Sequence, residues 1–264
     1  MSGMRTIRAI LTGALALGAA APSVLPNDFS WHGQLTPGKT IEIKGVNGSI
    51  RAEKSSGTEV AVEASKFSRH SDLRSVTVQV VPHADGVTIC AMYPSSDWGR
   101  ANECAPGSSG RMNTNNNDVR VEFTVRVPAG VKFVGRSVNG EVEAESLASD
   151  VTAHTVNGKI RISTSGWAEA KTVNGTISAR LGQTAGTTPI EFETVNGSID
   201  LELPASAGAT LHASTVNGRI ATDFPLMVHG KFTNRELTGT IGQGGTEMHV
   251  RTVNGSIELR RAGT

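Results

Sequence analysis

Charge of one sign, cysteine, aromatics and long apolar runs are all scarce in this sequence, and each shortage closes a class of function. The formal net charge is +1, from 25 basic and 24 acidic residues, with 19% charged side chains and 4% aromatics. That balance offers no basic field for nucleic acid and no acidic bias towards cationic partners. Cys90 and Cys104 are the only cysteines, and two are too few for a structural zinc site. Past the N-terminus no stretch approaches the ~20 apolar residues of a membrane-spanning helix. No segment sustains a 3.6-residue apolar period, so no helix is expected in the mature chain. A phosphate-binding Gly-rich loop with Lys, a Gly-x-Ser-x-Gly elbow and zinc-ligand spacing are all missing, and no cofactor or metal is expected.

The N-terminus carries Arg5 and Arg8, an apolar run from Ala9 to Ala21 and small residues up to Ser23. This is the layout of a secretory signal peptide, expected over residues 1–23, with an uncleaved anchor as the rival. Without it the chain holds 23 basic and 24 acidic residues, and no membrane span is expected after cleavage. Export places Cys90 and Cys104 in an oxidising compartment, where they are the only pair able to form a disulfide; the alternative is a buried Cys90 and an exposed, free Cys104. Such a bridge closes a loop of about 14 residues and contributes about 3 kcal/mol in the chain-entropy model.

Residues 24–264 are long enough to bury a core without metals and are read as one domain. Its organising element is Val-Asn-Gly, which occurs seven times, with asparagines at Asn47, Asn139, Asn157, Asn174, Asn196, Asn217 and Asn254. A weakened eighth copy reads Leu237-Thr238-Gly239-Thr240-Ile241. Pro26 to Pro37 reads as a lead-in, and strand-like alternation follows at Ile41 to Ile50, Glu59 to Ala64, Val76 to Val81, Val87 to Met92 and Val119 to Val127. Between them, residues 94–117 dissolve into Ser, Gly and Asn, a long loop with no secondary structure of its own. Tyr93 borders it and Trp98 lies within it, either as a ligand platform or as a cap on an open core.

Aligned on the asparagine, the eight copies share their columns. Six positions before it stand Ile41, Phe133, Val151, Ala168, Ile190, Leu211, Phe232 and Met248, all apolar. Three positions after it stand Ile50, Val142, Ile160, Ile177, Ile199, Ile220, Ile241 and Ile257, all β-branched and suited to a half-buried strand. Three positions before it the residues are polar or charged, and that column faces water. Asn-Gly is a strong hairpin signal, but a hairpin would place a row of valines opposite polar residues on the wet face. A stacked coil explains the row better: the corner turns Val inward, and the asparagines form a ladder at about 4.8 Å spacing. The fold class expected is therefore all-β, a parallel β-solenoid with Val-Asn-Gly corners; the alternative is an antiparallel sandwich or barrel of hairpins. Trp31 to Ile43 is the candidate cap of the exposed end.

With the Val-Asn-Gly-x-Ile repeats, Val127-Pro128-Ala129-Gly130 and Val87 to Pro94 before a Ser/Asn-rich loop, the chain resembles exported bacterial β-strand-repeat proteins of unknown function, described as candidate adhesins. The resemblance spans about residues 30 to 260 and implies a β-helical fold and a cell-envelope or secreted setting. It implies no catalytic residues.

Two constellations carry possible chemistry. Glu141, Glu143 and Glu145, with Glu191, Glu193, Asp200 and Glu202, are candidates for Ca²⁺ or for acid/base work on a polysaccharide. The alternative is a solvated face interleaved with Lys159, Arg161 and Lys171. His212 and His249 share a column but stand two coils apart, roughly 10 Å at ~4.8 Å per coil, too far to share a metal. The function expected is a non-enzymatic exported cell-envelope or surface protein, an adhesin or structural module whose partner is a cell-surface glycan or protein. The rival is a polysaccharide-acting β-helix enzyme using Glu141 and Glu143.

Overall fold

Alternating apolar and polar residues commit this chain to strands, and among the described residues the sole helical turn is a 3-10 turn at Leu73–Ser75. The computed structural model describes residues 28–97 and 99–263, the side chains of residues 229–232 excepted. The leader expected at 1–23, and Trp98, lie outside them. In chain order the strands are β1 (Phe29–Gln34), β2 (Thr40–Lys44), β3 (Ile50–Lys54), β4 (Glu59–Phe67), β5 (Thr77–His83), β6 (Gly86–Met92) and β7 (Arg120–Val127). Next come β8 (Lys132–Arg136), β9 (Val142–Leu147), β10 (Val151–His154), β11 (Ile160–Thr164), β12 (Ala168–Lys171), β13 (Ile177–Leu181) and β14 (Ile190–Asn196). The last are β15 (Ile199–Leu203), β16 (Ala209–Asn217), β17 (Ile220–Thr222), β18 (Leu226–Phe232), β19 (Glu236–Ile241), β20 (Glu247–Asn254) and β21 (Ile257–Arg261).

These strands make two mixed sheets, ordered β1-β4-β7-β3-β9-β11-β13-β15-β21-β17 and β18-β19-β16-β20-β14-β12-β10-β8-β2-β6-β5. Each Val-Asn-Gly joins a strand of the second sheet to a strand of the first, as in β10 to β11, and successive coils pair in parallel. Val151, for example, lies opposite Phe133 on one side and Ala168 on the other. The ends differ: β4 and β1 extend the first sheet antiparallel beyond β7, while in the second sheet β5 adds antiparallel beyond β6 at one end and β19 and β18 beyond β16 at the other. The supposed lead-in thus contains a strand. Trp31 to Ile43 is no single cap, because Trp31 lies on the edge strand β1 while β2, with Ile43, has β6 and β5 outside it.

Between the sheets the apolar columns meet. Ile41, Phe133, Val151, Ala168, Ile190, Leu211 and Met248 are buried, as are Ile50, Val142, Ile160, Ile177, Ile199 and Ile257. Burying each such large side chain is worth roughly 1.5–3 kcal/mol over leaving it exposed. Ile220, on the outermost strand of its sheet, is only half-buried. The coils do not stack in chain order: β20 inserts between β14 and β16, and β21 between β15 and β17. Leu237 to Ile241 makes no corner, since it lies in β19, antiparallel to β16.

The corner itself departs from expectation in one residue. Thr155, Thr172, Thr194, Thr215 and Thr252, with Ser137, are the buried members, while Val138, Val156, Val173, Val195 and Val216 are exposed and only Val46 is buried. Side chains alternate along an extended chain, so an inward Thr sends the following Val outward. The inward hydroxyl has a partner. Thr155 Oγ1 donates to Gly140 O (2.9 Å), Thr172 Oγ1 to Gly158 O (3.1 Å) and Thr194 Oγ1 to Gly175 O (3.0 Å). Outside, the asparagines form a ladder in which Asn157 Nδ2 donates to Asn139 Oδ1 (2.9 Å) and Asn174 Nδ2 to Asn157 Oδ1 (2.8 Å). Of the corner residues only Gly48 has a left-handed φ (+117°). The other glycines answer to a close approach: a Cβ on Gly175 would lie 1.9 Å from Gly158 O.

Candidate functional site

The outward face of the first sheet is a lattice of compensated charge. Arg51 bridges Glu143 (2.8 Å) and Glu145 (3.2 Å), and Arg161 pairs with Glu141. Further along, Arg180 reaches Glu202 (2.7 Å) and Arg260 reaches Asp200 (3.4 Å). Burial pushes the Glu143 carboxyl above its ordinary value, against the pull of Arg51. Glu141 and Glu143 are thus held by arginines that parallel strands place beside them. Among the described residues, no group of three His, Cys, Asp or Glu side chains is placed to hold a metal ion.

The second sheet carries a similar chain of contacts. Glu42, buried, accepts from Arg136 Nε (2.9 Å), Thr88 Oγ1 (2.9 Å) and Gly107 N (2.9 Å). Arg136 meets His154 Nδ1 (2.7 Å), and His154 meets Glu169 (2.9 Å), whose carboxyl that hydrogen bond holds below its ordinary value. Lys171 bridges Glu169 and Glu191 and is raised by the latter. Residues 103–111 of the long loop fold back over this face rather than standing free. Gly107 reaches Glu42, Lys44 Nζ donates to Ser109 O (3.0 Å), Glu103 bridges Arg111, and Cys104 is disulfide-bonded to Cys90 with Cα atoms 5.8 Å apart. Tyr93 is buried beneath, donating to Val119 O (2.8 Å), so it belongs to the core end.

His212 and His249 are closer than their sequence positions imply. Because β20 inserts next to β16, they sit in register on adjacent strands, with ring centroids 5.0 Å apart and planes 13° apart. Stacked rings present parallel edges, so their nitrogens do not converge on one ion.

The arrangement with ligand-binding character lies on the return turns at the side opposite the asparagine corners. Trp167 packs one side against the core, and its ring is fixed by Nε1–H donating to Pro189 O (2.9 Å). Its backbone N–H donates to Asp150 Oδ1 (3.1 Å), and Lys132 stands 3.8 Å from Asp150 Oδ2. With Thr40, Thr152, Gln183 and Thr188 these residues line a groove of about 380 Å³. A larger hollow of about 720 Å³, lined mostly by Gly, Ala and Thr of residues 182–189, 204–208 and 244–247, adjoins it across Gln183 to Thr187. Sequence reasoning passed over Trp167. Its signal was available, as the single tryptophan of the closely spaced repeats, but only the three-dimensional path of residues 182–189 brings Gln183 and Thr188 to it.

The family model described as Toastrack DUF4097 matches residues 28–260. No curated protein matches the chain. Among solved structures, a proposed cell adhesion protein from Clostridium sporogenes is 12% identical with a TM-score of 0.42, covering 89% of this chain and 99% of that one. A proposed adhesin from Bacteroides fragilis is 11% identical with a TM-score of 0.27, covering 89% and 96%. A proposed lipid binding protein from Parabacteroides distasonis is 12% identical with a TM-score of 0.20, over the same shares. Likenesses of this degree carry nothing about activity. Among the described residues no helix is long and apolar enough to cross a membrane.

Proposed function

From the premise that the chain belongs to the Toastrack DUF4097 family, we propose that it is a non-enzymatic exported protein of the cell envelope or surface, binding a neutral glycan at Trp167. The observation that carries the ligand class is the groove itself. A pyranose offers an apolar C–H face to an indole and hydroxyls to amides, hydroxyls and carboxylates, and few other ligands need that mixture. Trp167 supplies the ring, Gln183 the amide, and Thr152, Thr188 and Asp150 the oxygens. A volume of about 380 Å³ lies in the range of small-ligand sites, about 300–1,000 Å³. On the same reading residues 24–264 form one parallel β-solenoid domain with antiparallel ends. Asn47, Asn139, Asn157, Asn174, Asn196, Asn217 and Asn254 are structural corners that keep its coils in register. Cys90–Cys104 pins the 94–117 loop over the second sheet.

The test is binding of the purified chain to a panel of neutral and acidic glycans. A neutral glycan should bind, and Trp167→Ala and Gln183→Ala should each weaken it by about tenfold or more, the cost of one well-placed contact. Gln183 is exposed, so its variant should melt as the wild type does. No binding across the panel, or both variants binding like the wild type, overturns the glycan assignment. Recovery of the chain in the cytoplasm on cell fractionation overturns export.

A further inference from the structure

We propose that Asn217 is a modification site, the point where this chain converts an asparagine to a mixture of aspartyl and isoaspartyl through a succinimide with Gly218. Seven Asn-Gly pairs invite this reaction, because a following glycine leaves its amide nitrogen unshielded by any side chain. The backbone nitrogen of the glycine, on losing its proton to solvent base, attacks Cγ of the asparagine. A Cγ–N bond forms, the Cγ–Nδ2 bond breaks and Nδ2 leaves as ammonia. Water then opens the five-membered ring at either carbonyl.

The stack blocks this chemistry at six sites by two locks. The first is on the nucleophile: Gly48, Gly140, Gly158, Gly175, Gly197 and Gly255 each donate their backbone N–H to the asparagine carbonyl of the adjacent coil, at 3.0–3.1 Å. The second is on the electrophile. Asn47, Asn139, Asn157, Asn174, Asn196 and Asn254 each accept at Oδ1 from a neighbouring asparagine Nδ2, at 2.7–3.0 Å. Each of these six also donates from its own Nδ2, and an amide held at both its oxygen and its nitrogen cannot rotate its Cγ towards its own backbone.

Asn217 ends the ladder. It donates to Asn254 Oδ1 (2.7 Å), but among the described residues nothing donates to its own Oδ1, and Gly218 N–H has no acceptor. Both locks are missing at one corner, and that corner is exposed at Asn217. Conversion there removes the Nδ2 donor and sets a carboxylate against Asn254 Oδ1, which loosens β16 and β17 from the coil of β20 and β21.

The experiment follows all seven sites by peptide mass spectrometry during incubation of the full chain in mildly alkaline buffer. Each conversion is read as the amide-to-acid mass shift, and isoaspartyl is read with an isoaspartyl methyltransferase. Position 217 should convert about tenfold or more faster than any other, as expected from two missing hydrogen bonds of ordinary strength. In denaturant all seven should convert at comparable rates. Asn217→Gln, which closes the larger ring slowly, should remove the early product and leave the other six sites unchanged. Another Asn-Gly converting as fast as position 217 in the folded chain overturns the proposal. So does survival of Asn217 over a time in which the denatured chain converts.

Discussion

Thr172, Val173 and Gly175 are neighbours at one corner with three different physical roles, and substitutions should separate them. Thr172 is buried and its hydroxyl donates to Gly158 O at 3.1 Å. Thr172→Val keeps the shape but removes that donor, and should cost about 1 kcal/mol in denaturant unfolding. Val173 is 39% exposed, so Val173→Thr should change stability by no more than about 0.5 kcal/mol. The reverse ranking would mean that Val, not Thr, faces the core. Gly175→Ala drives a Cβ to 1.9 Å from Gly158 O. The backbone of two coils must then part, and we expect a loss of about 1–3 kcal/mol or more. A thermal melt within error of the wild type would refute the close approach.

At the scale of elements, one carboxylate ties a turn to a strand. Asp118, just before β7, accepts from Ser71 N (2.8 Å), Ser68 Oγ (2.8 Å), Arg69 N (3.1 Å) and His70 N (3.1 Å). These bonds, that from the Ser71 backbone foremost, hold its carboxyl far below the ordinary range. A folded value lowered below the unfolded one gives stability that is present above the unfolded value, about 3.9, and is lost as pH falls below it. Wild type should therefore weaken as acid is added through that range, and Asp118→Asn should weaken less steeply. Hydrogen exchange at residues 68–71 should speed up in the variant at neutral pH. Equal acid slopes for the two proteins would remove Asp118 from the account.

For the whole molecule the decisive feature is that the last coil is an inner one. β20 and β21 lie between two earlier coils, so the stack closes only once these two strands have been added. Truncation before β20 takes away the partner of both β14 and β16 and opens the buried Met248, Val250, Ile257 and Leu259 positions. Residues 204–245 should then be cut readily by protease, while those up to β15 keep more resistance. Equal resistance throughout would mean that the earlier coils close the gap by direct pairing. Long-range parallel pairing of this kind also forms slowly, because loop closure must be met before contacts reward it.

Most of the strands and most of the buried columns were legible in the sequence, because an alternating chain buries every second residue and a stacked fold repeats its spacing; β1, inside the supposed lead-in, was not. Ile177 and Ile199 could be assigned to the core for that reason alone. Three matters were decided only by tertiary structure. Which of Thr and Val faces inward at the corner depends on the carbonyl that the neighbouring coil offers to the hydroxyl. The 5.0 Å stack of His212 on His249 and the open end of the ladder at Asn217 depend on the insertion of β20, and adjacency in a stack is not written in chain order. The groove at Trp167 is formed by return turns of unequal length, whose path is set by packing rather than by the repeat.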